Sequence, residues 1–401
     1  MNEQVTSFEP ISKDDVAWLG TGPIPAAPYY DPAYFELERE AVFRRSWLHV
    51  GHVCELPEAG SWIRREIEVL RASILIVRGR DGVIRAFHNV CTHRGTQLVE
   101  EASGKQSKFS CPYHMWTFGE DGSLLSAPDF ERFEISRAEC ALSKVHVEVV
   151  AGLIFIHLGT PEETMRDSMG ALADRMEELP IAQATTFSEY VYEIDANWKL
   201  TYDNFQENYH LRFIHPNSSG PGCGGENPFG YPERFGFHGR HRTQTIWTSN
   251  APHEISPVQG VSYMKIGQAL AKRDLQVTGA EKDYFALFPN FFLFGSPGTH
   301  FSHTVYPIAA GKSRGVIRLY WVGEDMNASE RYAREYGMAM TRDIHVEDRS
   351  VIERGQRGLS SGALKHMHLQ TNEALIRHLF NSVDGMVEAY KTEREAMGEL
   401  R

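Results

Sequence analysis

Residues 91–114 read Cys91-Thr92-His93-Arg94-Gly95-Thr96-Gln97-Leu98-Val99-Glu100-Glu101-Ala102-Ser103-Gly104-Lys105-Gln106-Ser107-Lys108-Phe109-Ser110-Cys111-Pro112-Tyr113-His114. Cys91 and His93 stand one residue apart, Cys111 and His114 two apart, and residues 94–110 lie between the pairs. Two thiolates and two imidazoles at this spacing suit a [2Fe–2S] cluster with mixed ligation, in which two His replace two Cys on one iron and raise the reduction potential. Gly95 permits a tight turn after the first pair and Pro112 stiffens the second. Tyr113 and Trp116 can tune the cluster through its sulfurs. A Cys2His2 zinc site is the plainer alternative. Zinc fingers, however, pair Cys with Cys and His with His at wider spacings, and four matching donors within residues 91–114 argue against coincidence.

The rest of the chain sets the frame. At 401 residues it exceeds an electron-carrier module and suits two domains. Its 42% apolar and 23% charged composition is that of a globular protein. A formal charge of −12 argues against a nucleic-acid-binding surface. No apolar run reaches the length of a membrane span, and Met1 to Asp15 lacks the basic and apolar regions of a signal peptide. With Cys91 and Cys111 assigned to the cluster, Cys54, Cys140 and Cys223 read as free thiols of a reducing cytoplasm.

Residues 60–158 read as short strands and turns. Arg65–Leu70, Ser73–Arg78, Val83–Asn89 and Gly152–Leu158 are β-branched or alternating, and Asp81-Gly82 and Asp121-Gly122 are hairpin dipeptides. Beyond residue 160 the pattern becomes mixed. We expect helices over 162–179 (ending before Pro180), 199–213, 328–357 and 370–396, and strands over 284–295, 299–307 and 314–323. Gly and Pro crowd residues 216–231, a long loop.

Asn197-Trp198-Lys199 opens a segment holding Glu207, His210 and His215-Pro216. On a helix Glu207 and His210 share a face. Pro216 forces His215 out of helical geometry, which lets it turn back toward the same point. Two His and one carboxylate with open positions form the facial triad of non-heme Fe(II) oxygenases, and a distant acid must complete it. Most of the 18 histidines are ordinary. The trio downstream of a cluster motif is what raises these above that background.

The two motifs together, C-x-H-x17-C-x2-H and N-W-K-x4-N-F-x-E-x-Y-H-x4-H-P, resemble the catalytic (alpha) subunit of Rieske non-heme iron oxygenases, the aromatic-ring-hydroxylating dioxygenase family. The resemblance covers both domains and implies an α+β fold. An N-terminal segment (1–44) would pack on the catalytic domain, followed by an all-β Rieske domain (45–160). A larger helix-grip catalytic domain of antiparallel sheet and helices (161–401) would carry mononuclear iron. It implies that Cys91 and Cys111 hold one cluster iron, His93 and His114 the other, and that His210, His215 and an acid hold Fe(II). Asp348, eight residues before Gln356, matches the family pattern for that acid, with Asp343 and Glu347 as competitors. Glu207 matches the acid that bridges an iron-bound His to a cluster His of a neighbouring subunit, and Asp203 is its rival, read as solvated or capping. Many ring hydroxylators carry Asp at this position, and the longer Glu resembles the branch acting on quaternary ammonium compounds.

The implied activity is a terminal oxygenase that hydroxylates an aromatic or other cyclic molecule with O2. The alternative is O- or N-demethylation, or oxidation of a betaine- or carnitine-like quaternary amine. The implied partners are an NAD(P)H-dependent reductase, possibly a ferredoxin, and further copies in a homotrimer, with or without a small beta subunit. A bare electron carrier would need no second site. The remaining motifs read as bystanders. Gly220–Gly225 lacks the strand and helix of a dinucleotide loop, and Gly358-Leu359-Ser360-Ser361-Gly362 suits a helix end better than a nucleophile elbow. Asn217-Ser218-Ser219 is a formal sequon without a secretory context, and Trp198 and Phe291-Phe292 read as core.

Overall fold

A computed structural model describes residues 8–216, 218, 223–247, 256–257, 260–261, 264, 268, 283–296, 298–323 and 327–398. The chain divides into two compact units, one of Phe43–Ser168 and one formed by the segments up to Val42 and from Met169 onward.

The first unit is all-β. Its larger sheet contains β1 (Leu48–His52), β2 (Ser61–Ile67), β3 (Ala72–Arg78), β4 (Ile84–His88) and β5 (Ser103–Lys105). A three-stranded sheet of β6 (Lys108–Ser110), β7 (Thr117–Gly119) and β8 (Leu124–Ser126) follows. Then β9 (Lys144–Val150) and β10 (Leu153–His157) complete the first sheet in the order β1-β10-β9-β4-β3-β2-β5. Strand β3, in the sheet interior, is an apolar run because both its faces are covered. The expected Arg65–Leu70 strand is shifted: β2 ends at Ile67, and Glu68–Leu70 form a 3-10 turn closed by Arg71 at φ 52. The Asp121-Gly122 turn holds Gly122 at φ +81, where an added Cβ would stand 2.4 Å from the Phe87 ring. Trp62, Phe87, Phe109, Trp116 and Phe118 form the core, and Cys91 and Cys111 are part of it.

The second unit includes α1 (Pro32–Ala41), started by Asp31, whose side chain accepts from Ala33 N. The helix expected over 162–179 is two, α2 (Met165–Met169) and α3 (Ala171–Glu177), because Gly170 between them adopts φ 54. Strand β11 (Ala184–Ile194) and a hairpin of β12 (Arg234–His238) and β13 (His241–Thr245) lie outside the expected elements. The run expected over 284–295 is also two strands, β14 (Asp283–Leu287) and β15 (Phe291–Ser296), since Pro289 has no N–H for the ladder. With β16 (Thr299–Ala309) and β17 (Lys312–Val322) they make an antiparallel sheet ordered β11-β17-β16-β15-β14-β13-β12.

The expected 199–213 helix breaks into α4 (Trp198–Asp203) and α5 (Leu211–Ile214). Side-chain bonds compete with the helix there. Gln206 donates to Asp203 Oδ1 at 3.1 Å and accepts from Arg242, and Asn208 bonds the Gly230 carbonyl. Helix α6 (Ala328–Ser360) runs 33 residues from an Asn327 cap, and α7 (Ala374–Ala396) closes the unit. Helix α6 ends within the Gly358–Gly362 motif, so Ser360 sits at a helix C-terminus as expected. Asn217 and Ser219 of the sequon, and Gly220, Pro221 and Gly222 of the Gly220–Gly225 motif, lie outside the described residues. No helix among the described residues is long and apolar enough to cross a membrane.

Candidate functional site

The two cluster loops have the same backbone closure. Cys91 N donates to Thr96 O at 2.8 Å and Gly95 N returns to Cys91 O at 2.9 Å; Cys111 N donates to Trp116 O at 2.8 Å and Met115 N to Cys111 O at 3.0 Å. The fourth residue after each cysteine takes the left-handed conformation, Gly95 at φ 82 and Met115 at φ 58. Each loop is therefore a tight turn that presents its Cys and its His on one side. Asn89, fully buried, staples the first loop by accepting from Leu98 N and Val99 N and donating to Val99 O. Thr92 ties it to Cys140 O at 2.7 Å.

His93 and His114 face each other with ring centroids 4.7 Å apart, and Trp116 stacks on His93 at 4.9 Å. Burial pushes the Cys91 thiol up, and Cys111 adds to the rise. His114 Nδ1 is buried and has no hydrogen-bond partner among the described residues. Two buried sulfurs and this buried imidazole nitrogen fit a cluster that accepts thiolate and imidazole donors.

The second site joins α5 to α6. Buried residues His345, Asp348, Ile352, Gln356 and Leu359 form one stripe of α6 at three- and four-residue spacing. That stripe separates the competitors: Asp348 points inward, while Asp343 is exposed beside Arg342. Gln356, one stripe position on, accepts from Asn197 N at 2.7 Å and donates to Tyr29 O at 3.1 Å, locking α6 to the start of α4. Asp348 Oδ1 lies 2.8 Å from His215 Nε2 and 3.5 Å from His210 Nε2. These three donors lie within 4.8 Å of one another.

The opposite ring nitrogens are held by carboxylates, His210 Nδ1 by Glu207 and His215 Nδ1 by Glu347 at 2.7 Å. This back-bonding fixes each imidazole with its Nε2 toward Asp348, the usual arrangement behind a metal-bound imidazole. The residues thus fit a mononuclear metal, which when bound supplies open coordination positions for O2. Glu347 was a rival third ligand in the sequence. The structure makes it the support of His215, and Ser218 Oγ bonds the same carboxylate at 2.9 Å.

Asp203 is neither solvated nor capping. Tyr29 donates to it at 2.9 Å inside the core. Burial lifts its pKa to about 7 against the lowering effects of Tyr29, Lys199 and Arg242. Nearby, Lys199 and Glu38 form a fully buried ion pair at 2.5 Å, with Trp198 Nε1 donating to Glu38 at 3.1 Å. Nothing in the spacing of these residues announces the network, because Tyr29 and Glu38 lie far upstream in the sequence.

A cavity of about 500 Å³ opens on the His210, His215 and Asp348 side chains. Phe205, Trp247, Tyr284, Phe292, Phe294, Phe301 and Trp321 line it, and no Lys or Arg does among the described residues. Phe292, expected as simple core, is both buried and part of this wall, whereas Trp198 and Phe291 are core as expected.

Comparison with known proteins supplies the class. Residues 46–145 match the Rieske [2Fe–2S] domain family, and residues 181–389 match the ring hydroxylating alpha subunit catalytic domain, more than half of the chain. The chain belongs to the Rieske oxygenase family as a catalytic (alpha) subunit, with a [2Fe–2S] cluster in one domain and mononuclear iron in the other. Among relatives, it is 30% identical over 352 residues, 86% of each chain, to a carnitine monooxygenase oxygenase subunit of Acinetobacter baumannii. It is 34% identical over 193 residues, 48% of this chain and 44% of the other, to a glycine betaine monooxygenase oxygenase subunit of Pseudomonas aeruginosa. A structure of a quaternary ammonium Rieske monooxygenase with gamma-butyrobetaine superposes with a TM-score of 0.72 at 25% identity, covering 94% of this chain and 99% of that one. Naphthalene 1,2-dioxygenase from Rhodococcus sp. shares the fold, with a TM-score of 0.71 at 20% identity over 94% of this chain and 96% of the other.

Proposed function

We propose that this chain hydroxylates a small aromatic or other cyclic molecule with O2. The supporting observation is the cavity wall: aromatic and aliphatic side chains, with no cationic residue among the described ones, lead directly to His210, His215 and Asp348. Such a wall suits a flat, uncharged substrate placed beside an oxygen-activating iron. In this reading Cys91, His93, Cys111 and His114 hold the cluster, and His210, His215 and Asp348 hold the iron. Glu207 fixes the tautomer of His210 and links it to a cluster histidine, His114, of a neighbouring subunit. That bridge calls for a ring of subunits, and we propose a homotrimer in the cytoplasm, with or without a small beta subunit. Electrons come from an NAD(P)H-dependent reductase, directly or through a ferredoxin.

The second reading is oxidation of a quaternary ammonium compound. Relatives named for carnitine and glycine betaine favour it, as does the capacity of aromatic walls to hold such a cation. O2 uptake by the loaded protein with a surrogate reductase separates the readings. Stimulation by cyclic aromatics supports the first; stimulation by betaines alone rejects it for the second.

A further inference from the structure

Two side chains that line the cavity, Trp321 and His345, keep polar ring nitrogens buried just behind its surface. His345 is 1% exposed and Trp321 8%, and both border the cavity. Among the described residues, neither ring nitrogen of His345 nor the indole Nε1 of Trp321 has a hydrogen-bond partner. An indole N–H can only donate. Leaving it unbonded in an apolar wall costs free energy that a bound acceptor offsets. His345 stands one turn before Asp348 on the same buried stripe and packs on the Tyr192 ring, with centroids 3.8 Å apart. The Tyr192 hydroxyl is already engaged with His303 Nε2 at 2.7 Å. Burial holds the His345 pKa down at about 4, so at neutral pH its imidazole offers one donor and one acceptor. Trp321, on β17, is paired with Thr299, which also borders the cavity.

Resting on the oxygenase reading, we propose that Trp321 and His345 are specificity-determining residues that hydrogen-bond an acceptor oxygen on the substrate, after small adjustments of their rings toward it. The surrounding Phe side chains hold the apolar remainder. The substrate class is thereby narrowed to rings carrying a neutral carbonyl, ether or hydroxyl oxygen, since no cation among the described lining residues is placed to pair a carboxylate.

Calorimetric titration of the iron-loaded protein with acetophenone and ethylbenzene, which differ in the ketone oxygen, tests this. The expected result is binding of acetophenone about tenfold tighter than ethylbenzene. Trp321→Phe and His345→Phe should each bring the two ligands to within about threefold of one another, and His345→Gln should restore part of the preference. Should His345→Phe fold poorly, Trp321→Phe decides alone. Equal binding of both ligands, no binding of either, or an unchanged preference in the variants overturns the proposal. Loss of oxygen incorporation would instead overturn the oxygenase reading, and binding selectivity is measured independently of it.

Discussion

The imidazole Nδ1 of His215 lies 2.7 Å from the carboxylate of Glu347, the residue immediately before Asp348. Adjacent acids on α6 thus divide their work, with Asp348 facing the two histidines and Glu347 gripping one of them from behind. Glu347→Ala should weaken iron binding 10- to 100-fold without unfolding the protein. Iron titration against a competing chelator checks this, and unchanged affinity would reduce Glu347 to a surface acid.

The buried Lys199–Glu38 pair ties α1 to the first turn of α4. Removing one partner strands a charge in the core, so Lys199→Met should cost about 3–5 kcal/mol. Adding Glu38→Gln to that variant should recover much of the loss. Denaturant unfolding reads both, and a loss that the second change does not reduce would deny the pairing.

Burial raises the Asp203 pKa from 3.8 to about 7. The folded state therefore holds this proton more tightly than the unfolded chain. The resulting stability is fully present below about pH 4 and is lost as pH rises through about 7. Asp203→Asn should flatten the stability profile across that window by up to a few kcal/mol. Melting temperatures from pH 4 to 8 show whether the slope disappears; a parallel profile in the variant would contradict it.

Phe294 packs between Tyr284 and Phe301, with ring centroids 4.5 and 4.9 Å apart, in the cavity wall. Phe294→Ala should shift kcat/KM toward larger ring systems over single rings by about tenfold. Competition assays with paired substrates measure the ratio, and an unchanged ratio would place the substrate elsewhere.

Much of this architecture was legible because ligand chemistry constrains sequence. The Cys91/His93 and Cys111/His114 pairs need short loops, and Gly95 marks one of them openly. Its counterpart Met115 does not, since a left-handed methionine leaves no trace in composition. The return of His215 toward His210 was readable from Pro216, and the approach of Asp348 to both was an expectation of the resemblance. The helix break at 204–210 was hidden because it depends on Gln206 and Asn208 bonding to Arg242 and Gly230, partners distant in sequence. Asp203 was misread, and the grip of Glu347 on His215 went unforeseen, for the same reason. Their environments are set by tertiary neighbours, which periodicity does not report.

Single-turnover reaction under 18O2 tests the central claim most directly. The protein, loaded with iron and its reduced cluster, is mixed with a ring substrate and the product analysed by mass. The account predicts 18O in a hydroxylated product, and loss of that product in His210→Ala with the cluster EPR signal retained. Product lacking 18O, or full incorporation by His210→Ala, would contradict it.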